Sequence, residues 1–195
     1  MTSALRVCVY CGSRDGSRPE FLRAAERIGA LIGRRGWHMV YGGGRVGLMG
    51  RVADAALAAG GAVTGVIPES LMRREVGHTG LTQLHVVTTM HERKHLMASG
   101  CDAFIALPGG IGTFEELFEV WSWRHLGYHD QPIGLLDTAG YFQPLVAMMA
   151  HAIESGFVTR DQLDMVRVNA DPEALLDAIE QQARRATAPD DLRRI

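Results

Sequence analysis

The chain has 195 residues, of which 47% are hydrophobic and 22% are charged, and its formal net charge is -2. This composition is typical of a globular domain and argues against intrinsic disorder and against a coiled-coil or collagen-like rod. So small a charge gives no long-range field to attract nucleic acid or an anionic membrane, and an anion must be bound by a local arrangement. Because the start lacks a signal-peptide pattern and no run approaches a membrane span, we expect a cytoplasmic protein.

Short apolar runs alternate along the chain with segments of helical periodicity. The runs are unbroken, which is typical of strands covered on both faces, and they lie at residues 5–10, 37–41, 62–67, 103–107 and 133–136. Helical spacing of apolar residues predicts helices at residues 19–36, 48–59, 91–99, 114–126, 141–154 and 172–184. The polar stretch 69–83 predicts a surface loop with room for one helical turn.

Repeated alternation of strand and helix is typical of an α/β fold with a doubly wound, Rossmann-like parallel sheet. No linker or repeat divides the chain, so we expect a single domain over residues 1–186 and a flexible tail over residues 187–195. In such sheets ligands bind beyond the carboxyl ends of the strands. The informative residues are therefore expected directly after Tyr10, Tyr41, Ile67 and Leu107.

Three cysteines, an odd number, do not provide a disulfide framework. Cys8 and Cys11 form a Cys-x-x-Cys pair, but they lie in and just after a predicted strand, whereas a redox pair begins a helix that lowers the thiol pKa. Cys101 precedes another predicted strand. We therefore interpret all three as ordinary core residues.

Two glycine-rich segments follow predicted strands and lead into predicted helices, at residues 42–47 and 109–113. A helix start offers free backbone N–H groups and the positive end of the helix dipole, and glycine lets a phosphate approach them closely. One such segment is weak evidence, because tight turns also use glycine for geometry alone. Two in one sheet favour a bound phosphate.

Residues 42–47 also match Gly-x-Gly-x-x-Gly, the pattern of dinucleotide-binding loops, with Glu69 as a possible ribose ligand. Two features disfavour a hydride-transfer cofactor. The segment follows the second strand rather than the first, and Glu69 comes after Pro68 in an expected loop. The chain also lacks Gly-x-x-x-x-Gly-Lys-Ser/Thr, so nucleoside triphosphate hydrolysis by a P-loop is not indicated.

The segment from His91 to His95 matches the His-Glu-x-x-His pattern of zinc proteases, and Glu115 follows at a distance that permits a third ligand. A strand and a glycine turn intervene, however, and Arg93 and Lys94 place two cations where a metal would bind. We therefore expect no metal. Lys94 is the only lysine of the chain, which makes a specific use of it plausible.

Glu116 has two interpretations that the residues alone leave equally open. Thr113 and Glu116 have the spacing of a capping box, in which each side chain would bind a backbone N–H at the helix start. Alternatively, a carboxylate one turn beyond a phosphate-binding loop lies within a ribose length of the phosphate. From there it could position water and stabilise positive charge at an anomeric carbon.

These segments resemble a known family. Residues 108–116 match Pro-Gly-Gly-x-Gly-Thr-x-x-Glu and residues 90–94 match Met-x-x-Arg-Lys, the paired signatures of the Lonely Guy family. Its members are cytokinin riboside 5'-monophosphate phosphoribohydrolases, also labelled lysine decarboxylases. The similarity continues through 11–13, 42–44, 47–50, 65–68 and 134–136, and so extends over about residues 5–157.

The resemblance implies hydrolysis of the N-glycosidic bond of a nucleoside 5'-monophosphate, without a metal or redox cofactor. It also implies that Arg93 and Glu116 are the catalytic pair. The implied substrate-binding residues are Ser13, Gly43, Gly44, Glu75, Met90, Lys94, Gly109, Gly110, Gly112, Thr113 and Glu115. Ser122 departs from the plant pattern, which has Thr there, but retains a hydroxyl. Lysine decarboxylation is disfavoured, because it uses a pyridoxal phosphate held by a lysine, and Lys94 belongs to the Arg-Lys signature.

The resemblance further implies a homodimer, and a surplus of aromatic surface at Trp121, Trp123 and Leu126 favours an interface there. A nucleotide-binding or carrier protein of the same fold, without turnover, is the alternative function, since fold alone does not decide. The base remains open between adenine and a prenylated adenine.

Overall fold

The computed structural model describes residues 4–75 and 77–187, with the side chains of 73–75 outside the description. Its centre is a seven-stranded parallel sheet in the order β4-β3-β2-β1-β5-β6-β7. The strands are β1 (Arg6–Tyr10), β2 (His38–Tyr41), β3 (Ala62–Pro68), β4 (Gln83–Val87), β5 (Ala103–Ala106), β6 (Ile133–Leu136) and β7 (Val166–Asn169). The helices are α1 (Pro19–Arg34), α2 (Gly47–Ala58), α3 (Glu69–Glu75), α4 (Met90–Ala98), α5 (Ile111–His125), α6 (Gln143–Glu154), α7 (Arg160–Asp164) and α8 (Pro172–Ala183).

Both faces of the sheet are covered by helices, as the unbroken apolar runs predict. Along β1, Val7 and Val9 belong to the core formed with α1, α2 and α8, whereas Cys8 belongs to the core formed with α4, α5 and α6. All three side chains are at most 1% exposed. A strand with no solvent-facing side cannot alternate apolar and polar residues. The prediction of a doubly wound parallel sheet is therefore confirmed.

Two strands escaped the sequence prediction, and both lie at an edge of the sheet. β4 begins at the last residue of the stretch predicted as a surface loop, and β7 follows the short helix α7, which was also missed. Most positions of β4 are exposed or half-buried, and so are three of the four in β7. An edge strand with so little burial has no continuous apolar run for a sequence reading to detect. In the loop predicted over residues 69–83, α3 occupies the start and is longer than the one helical turn expected there.

The order of strands reverses beside β1, which pairs with β2 on one side and with β5 on the other. The helix that follows β2 packs on one face of the sheet, and the helix that follows β5 packs on the other face. A crevice therefore opens between the loops that follow β1 and β5, which is the usual ligand site of such sheets. Within the described ranges, no helix is long and apolar enough to cross a membrane. The tail predicted over residues 187–195 lies outside the described residues except for Thr187.

The aromatic surface expected on α5 is smaller than predicted. Trp121 and Trp123 are only 5% and 9% exposed, and the Trp121 indole N–H donates to the Gln162 carbonyl at 2.8 Å. Both side chains belong to the core of this chain, so they leave no surplus surface for a partner. Leu126 is 62% exposed and Phe118 is 37% exposed.

Candidate active site

A cavity of about 620 Å³ occupies the crevice at the carboxyl ends of β1 and β5. Its size suits a small nucleotide. Backbone of the loops after β1 and β5 forms much of its wall. Residues of α1, α2, α4 and α5 complete it, and the lining outside those loops includes Phe21, Gly42, Leu48, Met49, Arg93, Glu116 and Tyr141.

Arg93 and Glu116 face each other at this wall from two helices, α4 and α5. They are 7% and 8% exposed, and Arg93 Nη1 lies 3.7 Å from Glu116 Oε1. The other guanidinium nitrogens are held by backbone: Nε donates to the Val66 carbonyl and Nη2 to the Gly42 carbonyl, each at 3.2 Å. The arginine is therefore fixed before any ligand arrives, and its charge offsets the burial of the carboxylate.

Glu116 is not part of a capping box. Helix α5 begins at Ile111, with Gly110 as its N-cap and no side chain capping it, so Thr113 and Glu116 both lie inside the helix. The predicted capping role of this pair is wrong because the helix starts three residues earlier than the sequence pattern implies. The Glu116 side chain is consequently available to face the cavity and Arg93.

A capping arrangement does occur at the start of α4. The Thr89 side chain accepts a hydrogen bond from the Glu92 N–H at 3.0 Å, and Glu92 in turn accepts from the N–H and the hydroxyl of Thr88. These bonds from Thr88 lower the pKa of Glu92. The glutamate of the His-Glu-x-x-His pattern thus serves the helix start. Among the described residues, no group of three or more His, Cys, Asp or Glu side chains could hold a metal ion.

The beginning of α5 is an open surface with backbone N–H groups that are unbonded within the described residues. The Phe114 N–H is the first to bond within the helix, to Gly110 at 3.1 Å, which leaves the N–H groups of the preceding residues without an intrahelical acceptor. A Cβ added to Gly110 or Gly112 would meet nothing within 4 Å. Packing therefore does not require glycine at these two positions, and the open backbone with the positive helix end suits a phosphate.

The β2–α2 loop (residues 42–46) is closed by packing instead. A Cβ on Gly42 would lie 2.1 Å from Arg93 Nη2, and one on Gly47, whose φ is +61°, would lie 2.3 Å from the Ser13 carbonyl carbon. Gly43 also has a positive φ, of +75°. Only Gly42 of this segment lines the cavity. One glycine segment thus packs against Arg93, and phosphate binding remains a prediction for the segment that begins α5.

The cavity brings together about half of the predicted substrate-binding residues: Ser13, Gly109, Gly110, Gly112 and Thr113 line it with the catalytic pair. Gly43 and Gly44 do not line the cavity, and Gly44 pairs instead with Gly77. Met90 is 42% exposed at the start of α4 and does not line the cavity. Glu75 ends α3, and its side chain lies outside the described residues.

Lys94 and Glu115 form a clasp between α4 and α5, away from the cavity wall. The ammonium lies 2.5 Å from Glu115 Oε1 and 2.9 Å from Glu119 Oε1. Burial lowers the pKa of Lys94, but the hydrogen bonds to the two glutamates outweigh it, so the pKa is raised overall. The geometry shows these two residues bound to each other, and substrate contact remains a prediction for both.

Cys11 lines the cavity as a protonated thiol. Burial raises its pKa far above the ordinary value, and the negative charge of Glu116 raises it further. Burial likewise raises the pKa of Cys8. Because a nucleophilic cysteine needs a lowered pKa, this wall offers no thiolate. The three cysteines are free and buried, as predicted.

Sequence reasoning missed several residues of the wall, among them Arg14 and Tyr141. Arg14 follows Ser13 in the loop after β1, and Tyr141 follows the short 3-10 turn Thr138–Gly140 after β6. Their position just beyond strand ends was the available signal. The signatures of the family include neither residue, so the motifs alone do not identify them.

Solved structures with the same fold include the molybdenum cofactor binding protein of Rippkaea orientalis. It is 22% identical, with a TM-score of 0.69, and the match covers 93% of this chain and 98% of that one. The molybdenum cofactor carrier protein of Chlamydomonas reinhardtii is 20% identical with a TM-score of 0.70, over 93% and 99% of the two chains. At such identities the similarity establishes the fold alone.

Sequence comparison identifies much nearer relatives. The cytokinin riboside 5'-monophosphate phosphoribohydrolase of Rhodococcoides fascians is 50% identical over 174 residues, 89% of this chain and 88% of that protein. An Arabidopsis thaliana enzyme of the same name is 46% identical over 154 residues, 79% and 72% of the two chains. The family model described as "Possible lysine decarboxylase" matches residues 49–179. The chain belongs to this family of phosphoribohydrolases, the Lonely Guy family.

Proposed function

We propose that the chain hydrolyses the N-glycosidic bond of nucleoside 5'-monophosphates, including cytokinin riboside 5'-monophosphates, to free base and ribose 5-phosphate. The observation that carries the proposal is the buried pair of Arg93 and Glu116 at the wall of a cavity that also contains the open start of α5. The names of the relatives from Rhodococcoides fascians and Arabidopsis thaliana support the same reaction.

The start of α5 binds the 5'-phosphate in this proposal. The N–H groups of Gly110, Gly112 and Thr113 and the positive end of the helix favour a dianion. Ser13 lines the cavity on the side of β1 and can add a hydroxyl donor. Bonds from neutral donors to an ionised phosphate are roughly twice as strong as neutral ones, so the phosphate anchors the substrate.

Glu116 lies one turn beyond this anchor and acts on the anomeric carbon. As the C1'–N bond breaks, its electron pair leaves with the base and positive charge develops on the ribose ring. The carboxylate stabilises that charge and orients the water whose oxygen bonds to C1'. The water proton is passed on to the departing base, which gives neutral base and ribose 5-phosphate.

Arg93 keeps Glu116 in place through this sequence. Its Nε and Nη2 are bound to backbone carbonyls, so Nη1 is presented to the carboxylate from a fixed direction. A lysine would supply a point charge but not three separate donor directions. A pyridoxal phosphate decarboxylase is disfavoured, since Lys94 is held as a cation by Glu115 and Glu119.

Release of free base tests the proposal. The purified protein is incubated with AMP, with isopentenyladenosine 5'-monophosphate and with the two nucleosides, and free adenine or isopentenyladenine is quantified. We expect base from the monophosphates, at rates at least a hundredfold above those of the nucleosides, because the phosphate anchor is then filled. Tight binding of a monophosphate without release of base would instead support a carrier without turnover.

We further propose that the chain forms a homodimer through the face shared by α5 and α6. A groove there is lined by Phe114, Phe118, Tyr141, Pro144, Leu145 and Met148. Ile111, Phe118 and Met148 are 85%, 37% and 53% exposed, a concentration of apolar surface that an interface would cover. The proposal moves the interface away from Trp121 and Trp123, which are buried in the core.

Light scattering at micromolar concentration tests the dimer. We expect the mass of two chains for the unmodified protein and of one chain for Met148→Glu. The matched control is Phe157→Glu, since Phe157 is 87% exposed but lies outside the groove. A monomeric mass for the unmodified protein would refute the proposal.

A further inference from the structure

Tyr141 reaches from the end of the β6 turn to the loop before α5. Its hydroxyl donates a short hydrogen bond to the Gly109 carbonyl, across 32 positions of sequence. The side chain is half-buried and lines the cavity, so the bond lies at the wall of the candidate site. Neither the family signatures nor the proposed mechanism uses this residue.

The bond fixes the orientation of one peptide group. The Gly109 carbonyl and the Gly110 N–H belong to the same planar peptide and point in opposite directions. Glycine on both sides gives this peptide unusual freedom to rotate. Within the described ranges, no hydrogen bond is formed by the Gly110 N–H. Holding the carbonyl toward Tyr141 therefore holds a free N–H on the opposite side of the peptide.

The turn that carries Tyr141 is strained and firmly anchored. Ala139 has φ +56° and ψ +28°, the only positive φ of a non-glycine residue in the described chain. Asp137 accepts hydrogen bonds from the Phe142 N–H at 2.7 Å and from the Gln143 side chain at 2.5 Å. Strain of this kind persists where the surroundings over-determine it, and it concentrates at functional sites.

The ring of Tyr141 is also held from two sides. Phe21 approaches it edge-on, with centroids 5.8 Å apart, and Phe114 lies parallel to it at 6.2 Å. These contacts belong to the ring and not to the hydroxyl. Replacing Tyr141 with Phe would therefore remove the bond to Gly109 and keep the packing.

We propose that Tyr141 is a positioning residue, whose hydroxyl orients the Gly109–Gly110 peptide so that the N–H at the start of α5 is preorganised for the substrate phosphate. This inference rests on the proposed phosphate site. It predicts that the hydroxyl of Tyr141, and not the packing of its ring, contributes to the affinity for phosphate.

The test compares Tyr141→Phe with Tyr41→Phe. Tyr41 is a matched control, because its buried hydroxyl donates to the carbonyl of Gly44, at 3.0 Å, and neither residue lines the cavity. The dissociation constant of ribose 5-phosphate is measured by calorimetry, and KM and kcat are measured for AMP and adenosine. Thermal unfolding is recorded for each variant.

For Tyr141→Phe we expect about a tenfold weaker affinity for ribose 5-phosphate and a similar rise in KM for AMP, with kcat changed less than twofold. Cleavage of adenosine should be unaffected, because it has no phosphate. Tyr41→Phe should lower the melting temperature and leave ribose 5-phosphate affinity unchanged.

An unchanged affinity in Tyr141→Phe, or equal losses in both variants, would overturn the inference. Failure of the unmodified protein to bind ribose 5-phosphate and AMP would overturn it together with the phosphate site. If AMP binds but no base is released, the proposed hydrolysis is contradicted, but the inference about Tyr141 is not. Calorimetry with ribose 5-phosphate on the two variants still decides the role of Tyr141.

Discussion

The two glycine-rich segments look alike in sequence but differ in what their glycines do. At the start of the β2–α2 loop a Cβ on Gly42 would meet Arg93, and directly after the loop a Cβ on Gly47 would meet the backbone of Ser13. At Gly110 and Gly112 the missing side chain leaves open space. The first segment therefore packs around a protein side chain, whereas the second is the open surface where we propose that the substrate phosphate binds.

This difference separates the two tasks that the proposed reaction needs. The β2–α2 loop fixes the charge partner of the catalytic carboxylate, and the start of α5 fixes the substrate. Where an added Cβ would clash, packing within the protein explains the glycine. Where the Cβ would meet empty space and φ is not positive, neither packing nor backbone conformation explains it, and a bound ligand is the explanation that we propose. The glycines of one motif should accordingly not be assigned a common role.

The largest expected effect concerns Glu116, since its contact with Arg93 joins the two regions. Glu116→Gln keeps the shape of the side chain but removes the charge that stabilises the oxocarbenium ion. We expect kcat to fall about 100-fold to 1000-fold, with nucleotide binding retained. Base release per folded molecule measures the effect, and Glu119→Gln is the control on the same helix. Normal turnover in Glu116→Gln would contradict the catalytic assignment.

Gly42→Ala disturbs the packing around Arg93 without removing any catalytic group. The added Cβ would lie 2.1 Å from Arg93 Nη2, so the flexible guanidinium must move while the fold is kept. We expect kcat to fall at least about tenfold, because Glu116 loses its fixed partner and preorganisation is weakened. Steady-state kinetics with AMP measures this. A loss confined to KM would instead assign the loop to substrate binding.

Gly112→Ala probes the open surface in the same way. Its Cβ meets nothing within 4 Å, and alanine favours a helix more than glycine does, so the protein should be as stable as before or slightly more stable. The methyl group would occupy the space proposed for the phosphate, so KM for AMP should rise about tenfold. Thermal unfolding and kinetics together check the prediction. Unchanged KM would mean that the phosphate binds elsewhere.

The smallest expected effect is at Cys11, in the loop after β1. Because burial and then Glu116 raise its pKa, the thiol stays protonated at pH 8 and should react with iodoacetamide far more slowly than a free cysteine. Removing the negative charge in Glu116→Gln lowers that pKa, so alkylation should become slightly faster. Mass spectrometry after timed alkylation measures both rates. Rapid alkylation of the unmodified protein would contradict the buried position of the thiol.

Continuous apolar runs predicted the sheet and its central strands, whereas the pair of Arg93 and Glu116 was implied by the resemblance to the family. The sequence could not distinguish the two glycine segments, since the contact between Gly42 and Arg93 joins positions 51 residues apart. The edge strands β4 and β7 escaped because burial, which creates the apolar signal, is weak there. Tyr141 escaped because its role depends on a distant carbonyl.

The clasp of Lys94 with Glu115 and Glu119 has a practical consequence for observing motion. A protease that cuts only after lysine has one bond to attack in the whole chain, between Lys94 and His95, in the middle of α4. Cleavage requires this helix to open locally, and the clasp opposes that opening. The rate of digestion at this bond thus reports local opening of α4, the helix that carries Arg93, and a ligand that stabilises the closed helix should slow it.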